Sequence, residues 1–250
     1  MLQRKQFIRQ ILLASGVGMT VPYLSKATTA RTSSTWIQPN DTLLFQGDSI
    51  TDAGRNRDQK APNSPNGLGQ GYASLAAAQL LFDYPTFQLK CYNKGISGHK
   101  VPQLHDRWKE DCLDLQPQVL SILIGVNDYW HRLHHGYEGS AQSYLDQYKK
   151  LIESTLKTLP NVKLIIGEPF ALPGIQAVTD EWFPEFDGYR EAAKQIAKTY
   201  QAKWVPYQQI FEQASKQVPA SYWTYDGVHT TLAGAQLMAE AWLAVARNNS

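Results

Sequence analysis

The chain has 250 residues, 43% hydrophobic and 18% charged, with 24 basic and 22 acidic side chains for a net charge of +2. That balance is ordinary for a globular protein. It contains no basic stripe of the kind that nucleic-acid binding needs, so nucleic acid is excluded as a partner.

The first thirty residues differ from the rest. Arg4, Lys5 and Arg9 precede an apolar run over residues 11–24, and small residues follow over 25–30. A positive start, a short apolar middle and a small-residue cleavage region predict an export signal over residues 1–30 and a periplasmic or secreted protein. An amphipathic helix or a membrane anchor is the competing reading. Gly16, Gly18, Thr20 and Pro22 make the run a poor membrane span, and the remaining chain has no stable one. Residues 4–9 resemble a twin-arginine signal with Lys5 in the second arginine position, which leaves the export route open. Removing residues 1–30 takes away Arg4, Lys5, Arg9 and Lys26 and no acid, so 20 basic side chains face 22 acidic ones and the charge falls to −2. Residues 31–250 are long enough for one domain with a substantial core.

Within that domain, short apolar runs alternate with helical patterns. Residues 43–45 predict a buried strand, and Tyr72, Leu75, Ala76 and Leu80 a helix. Residues 89–92 give a second strand, and Leu104 with Trp108 a second helix. Residues 119–124 (VLSILI) are the clearest strand, bounded by Pro117 and Gly125. Tyr144, Leu145, Tyr148, Leu151, Ile152, Leu156 and Leu159 then follow the spacing of an amphipathic helix over four turns. Residues 164–166, a helix through Tyr189, Ala193, Ile196 and Tyr200, and a strand at 204–205 come next. Leu237, Met238, Ala241, Trp242 and Val245 close the chain as a helix that Thr230 or Thr231 can cap. Continuously apolar strands alternating with helices imply an α/β fold, a three-layer α/β/α sandwich with a five-stranded parallel sheet. Of the two cysteines, Cys91 and Cys112, the sequence allows either a disulfide or two buried thiols.

In such a sheet, sites form at the carboxyl ends of strands. Three glycine-marked turns fall there: Gly47-Asp48-Ser49, Asn93-Lys94-Gly95 and Gly125-Val126-Asn127-Asp128. Ser49 can project into the cleft, and a serine hydroxyl becomes a strong nucleophile once a base takes its proton. The candidate base lies far along the chain in Asp226-Gly227-Val228-His229, where the spacing lets the carboxylate orient the imidazole. Developing negative charge on the substrate needs donors, for which the Ser49 N–H, the Gly95 N–H and the Asn127 amide are placed. Taken singly, each of these features also has a bland reading as a turn, a cap or a surface pair.

Together, Gly47-Asp48-Ser49-Ile50-Thr51, Asn93-Lys94-Gly95, Gly125-Val126-Asn127-Asp128 and Asp226-Gly227-Val228-His229 resemble the four ordered blocks of the SGNH (GDSL-type) hydrolase family. The resemblance implies a flavodoxin-like fold and esterase or lipase activity. It makes Ser49 the nucleophile, His229 the base and Asp226 its partner, with Ser49, Gly95 and Asn127 lining the oxyanion hole. No cofactor or metal is expected. Thr51 stands where an α/β-hydrolase elbow has its second glycine, which argues against that alternative.

Two further features carry no chemistry in this reading. Gly67-Leu68-Gly69-Gln70-Gly71 lacks the spacing of a phosphate cradle and reads as a flexible approach to the Tyr72 helix. His131, His134 and His135 read as solvated histidines of a surface loop. Among the loop aromatics, Trp130, Trp182 and Trp223 are candidate substrate contacts, with loop packing as the competing role. The function expected is removal of short acyl groups, especially acetyl, from a small-molecule or carbohydrate ester. The rivals are a lysophospholipase or thioesterase on longer chains and a secreted carbohydrate-binding protein without turnover. Activity is expected to fall in acid near an ordinary histidine value of about 6.5.

Overall fold

The computed structural model describes residues 36–248, so the expected export signal over residues 1–30 lies outside the described residues. Every predicted strand is present: β1 (Thr42–Gly47), β2 (Lys90–Asn93), β3 (Val119–Leu123), β4 (Lys163–Gly167) and β5 (Lys203–Val205). They pair in parallel in the order β2-β1-β3-β4-β5. Every residue of β1 and β3 is buried, which is why those runs are apolar without alternation.

The helices are α1 (Ser49–Asp52), α2 (Pro65–Leu68), α3 (Tyr72–Asp83), α4 (Val101–Asp111), α5 (Val126–His134), α6 (Ala141–Thr158), α7 (Glu185–Thr199), α8 (Tyr207–Ser215) and α9 (Leu232–Arg247). On one face of the sheet, Phe45 of β1 packs on Tyr72 of α3 at 5.9 Å and on Trp242 of α9 at 5.0 Å. The Trp242 indole N–H donates to Ser121 Oγ of β3 at 2.9 Å, so this bulky ring enters the core without an orphaned donor. In the other helical layer, Trp108 of α4 donates to Thr155 Oγ1 of α6 at 2.8 Å, and Tyr144 of α6 packs on Tyr189 of α7 at 5.5 Å. Thr231 is the cap of α9, its Oγ1 accepting from the Gly234 N–H at 3.2 Å.

Two expectations are corrected. His131 and His134 lie on helix α5 and His135 caps its end, not on a loop. Val126, Tyr129, Trp130 and Leu133 carry the helical spacing that would have disclosed α5. Helix α8 also went unpredicted, although Tyr207, Ile210 and Phe211 follow the same rule after Pro206. Residues 67–71 are not a flexible approach. Ser64 Oγ accepts from Gly67 N at 3.2 Å to cap α2, and Asn93 Nδ2 donates to Leu68 O at 2.8 Å. Cys91 and Cys112 are free thiols, both buried, and burial pushes each up to about 12.

The strand order places a crevice. From β1 the chain crosses outward to β2, then returns past β1 to β3 and continues the other way to β4 and β5. The order reverses between β1 and β3, and the carboxyl ends of those two strands bound the switch-point crevice.

Candidate active site

Strand β1 ends at Gly47, where any side chain would run into the Leu123 carbonyl and the Thr51 hydroxyl. Only glycine lets the chain turn there while pressed against β3. Asp48 then caps α1, its Oδ1 accepting from Ile50 N at 3.0 Å. Ser49 is thus the first helical residue, and its backbone N–H has no acceptor within the helix.

The partner groups arrive on a small antiparallel loop. Thr224 bridges Thr230, flanked by Tyr225 N donating to His229 O at 2.8 Å and Thr231 N donating to Trp223 O at 2.9 Å. Asp226 lies in the turn. Its Oδ1 accepts from Val228 N at 2.9 Å and His229 N at 2.7 Å, and its Oδ2 lies 2.6 Å from His229 Nδ1. His229 Nε2 lies 2.8 Å from Ser49 Oγ, which is 180 positions away in the chain. Three side chains expected to act together therefore form one continuous hydrogen-bonded chain.

Burial pushes the Asp226 carboxyl up, but the hydrogen bonds from the His229 ring and the two amides outweigh it and hold the group below the ordinary carboxylate range. It stays charged at neutral pH. The hydrogen bond to Asp226 raises His229 above its ordinary value; burial opposes that, and the charges of Asp226 and Asp48 add to it. The expectation of an ordinary histidine value is corrected upward. Asp48 is 1% exposed, and burial pushes its carboxyl up to about 7. It is a second acidic group whose charge the imidazole feels.

Gly95 follows β2, and a side chain there would sit 2.5 Å from the Asp52 amide nitrogen, so glycine is what lets this turn lie against α1. Buried Asn93 ties the turn down, donating to Thr51 O at 2.6 Å and to Leu68 O at 2.8 Å. Its Oδ1 accepts from Gly95 N at 2.9 Å, so this expected oxyanion donor is already engaged and can serve a substrate oxygen only as a shared hydrogen. Asn127 donates one amide hydrogen to His99 O at 3.2 Å, which leaves the second available. The neighbouring Asp128 accepts from Val101 N at 3.2 Å. Two consecutive residues after β3 thereby lace the third turn onto the segment that follows the second.

This ordered set of turns is matched at the level of family. Residues 45–237 fit the GDSL-like Lipase/Acylhydrolase family. The chain belongs to that family. It is a hydrolase acting on ester bonds. An acetylxylan esterase from Geobacillus stearothermophilus is 35% identical over 209 residues, which cover 83% of this chain and 94% of that protein. The crystal structure of Axe2, an acetylxylan esterase from the same organism, superposes with a TM-score of 0.76 at 30% identity, covering 86% of this chain and 98% of that one. A candidate GDSL-like lipase from Parabacteroides merdae superposes with a TM-score of 0.83 at 45% identity, covering 85% and 98%.

The aromatics of this GDSL-type site divide into two groups. Trp130 of α5 is half-buried, with its ring 6.1 Å from that of His229. Trp182 is corrected as a direct substrate contact. It is fully buried, donates its indole N–H to Ala177 O at 3.0 Å, and supports Trp130 from behind at 5.5 Å. Tyr129 and Phe186, both fully buried, pack on the same ring at 5.3 Å and 5.4 Å. Trp223 is half-buried against Tyr222, and its indole N–H is buried without an acceptor among the described residues.

Proposed function

We propose that this esterase removes short acyl groups, acetyl above all, from carbohydrate, using Ser49 as nucleophile, His229 as base and Asp226 as the group that orients it. The observation carrying the reading is the unbroken chain Ser49 Oγ–His229 Nε2 at 2.8 Å and His229 Nδ1–Asp226 Oδ2 at 2.6 Å. As Ser49 Oγ bonds to the ester carbonyl carbon, its proton passes to His229 Nε2. The Ser49 N–H and the second Asn127 amide hydrogen stabilise the oxyanion, with the Gly95 N–H sharing between it and Asn93. When the tetrahedral state collapses, the ester C–O bond breaks and His229 gives its proton to the departing sugar hydroxyl. Water then adds to the acyl-enzyme, losing its proton to His229, and Ser49 leaves with that proton restored.

Two features support a short acyl group on a large alcohol. The His229 side chain is 39% exposed, so the reacting centre opens onto the surface where a polymer can reach it. The similar Geobacillus protein is an acetylxylan esterase. A series of esters from acetate to decanoate, run beside acetylated xylo-oligosaccharides, tests the acyl side. The expected profile has kcat/KM highest for acetyl and falling with each added pair of methylenes. A profile that climbs towards decanoyl would replace this reading with a lipid ester.

The export signal over residues 1–30 belongs to the same proposal, since a polymeric carbohydrate is met outside the cytoplasm. Expression of the full chain in a bacterium is expected to yield a protein in the periplasm or medium whose amino terminus begins close to residue 31. An uncleaved chain held in the cytoplasm would argue otherwise.

A further inference from the structure

The loop that delivers His229 also presents a side chain to which no role has been given. The bridge between Thr224 and Thr230, with Tyr225 N donating to His229 O at 2.8 Å, makes Tyr225 and His229 directly opposed residues of an antiparallel pair. Directly opposed residues project from the same face, with their Cβ atoms about 5 Å apart. The alternation agrees: Thr224 is fully buried, whereas Tyr225 is 65% exposed. An exposed aromatic side chain therefore leaves the backbone on the same face as His229, whose own side chain is 39% exposed.

The chemistry decides which half of an ester meets that ring. The carbonyl oxygen must turn towards the donors at Ser49, Asn127 and Gly95, which come from α1, α5 and the turn after β2. The departing oxygen must reach His229 Nε2, because that nitrogen returns the proton. The alcohol portion of the substrate therefore lies on the His229 side, within reach of the residue opposed to it. A flat ring exposed on one face is a surface on which the C–H face of a pyranose can stack.

Resting on the carbohydrate-ester reading above, we propose that Tyr225 is the stacking platform for the sugar ring on the alcohol side of the scissile bond. It sets preference for the alcohol and leaves the acyl preference untouched. Tyr225 does none of the bond making itself; its hydroxyl is not required, and its ring is.

The test compares two acetate esters that share the chemistry at Ser49: an acetylated xylo-oligosaccharide and vinyl acetate, whose alcohol has no ring. Tyr225→Ala is expected to lower kcat/KM on the sugar ester on the order of tenfold, chiefly through KM, with vinyl acetate unchanged. Tyr225→Trp and Tyr225→Phe should keep the wild-type rate on both. In the Ser49→Ala background, calorimetry with the xylo-oligosaccharide should show the matching loss of affinity for Tyr225→Ala. Equal losses on both esters would mean the ring supports the His229 loop, and the platform is overturned. Unchanged sugar-ester kinetics and affinity in Tyr225→Ala overturn the platform while the carbohydrate reading stands. Wild-type turnover of vinyl acetate with none of the sugar ester overturns both.

Discussion

Ser49→Ala is expected to lower kcat for acetate esters by about 10⁶, the loss typical when a serine hydrolase loses its nucleophile. The fold should be unaffected. The Ser49 hydroxyl makes one hydrogen bond, to a His229 side chain that is 39% exposed, and alanine keeps the helical start of α1. The Asp48 cap on Ile50 N does not depend on the serine side chain either. The check is burst and steady-state kinetics beside thermal unfolding of the two proteins. Unchanged unfolding with turnover reduced to background assigns the loss to chemistry. A rate within tenfold of wild type would remove Ser49 as the nucleophile.

Asp226→Asn is expected to lower kcat by about 10⁴ and to shift the pH profile. The base must be neutral to accept the Ser49 proton, so kcat/KM falls as pH drops through the His229 value. In the wild type that value is raised, by the Asp226 hydrogen bond first and by the charges of Asp226 and Asp48 after it, while burial pulls the other way. The acid limb should therefore have its midpoint above the ordinary histidine value of about 6.5. Replacing Asp226 removes the hydrogen-bonded carboxylate, and the remaining burial lowers the imidazole, so the midpoint moves to lower pH. Asparagine also disturbs the tautomer, since its amide can present N–H rather than an acceptor to Nδ1. The pair of profiles, residual rate included, is the measurement. An unchanged midpoint in the variant would show that Asp226 does not hold the imidazole.

Much of this was legible in the chain itself. Residues 119–124 read as a covered strand because no polar residue but Ser121 interrupts them, and β3 (Val119–Leu123) is buried throughout. The one exception has its own reason: Ser121 accepts the indole N–H of Trp242. Three of the four motif blocks follow directly on β1, β2 and β3, and that placement is a local property of the chain. Asp226 and His229 are three residues apart, so backbone geometry brings them together wherever the loop sits. Helix α5 is legible too, in the spacing of Val126, Tyr129, Trp130 and Leu133, although polar His131, His134 and His135 give its far end the composition of a loop.

What the sequence determined alone is the alternation of strands and helices and the chemical types gathered at the strand ends, because hydrophobic period and turn chemistry are written within a few residues of each other. Only the tertiary structure decided which of those groups meet and what remains exposed. Ser49 and His229 touch across 180 positions because the β1 end and the last loop converge at the switch point. Trp182 and Tyr225 are both aromatic residues of polar-flanked segments, yet one is sealed inside a ring cluster and the other stands in solvent. The Gly95 N–H is shared with Asn93, and the direction in which His229 shifts depends on Asp226, Asp48 and burial at once. Burial, opposition across a strand pair and electrostatic shift are sums over neighbours distant in the chain, and those neighbours exist only once the sheet has closed its order.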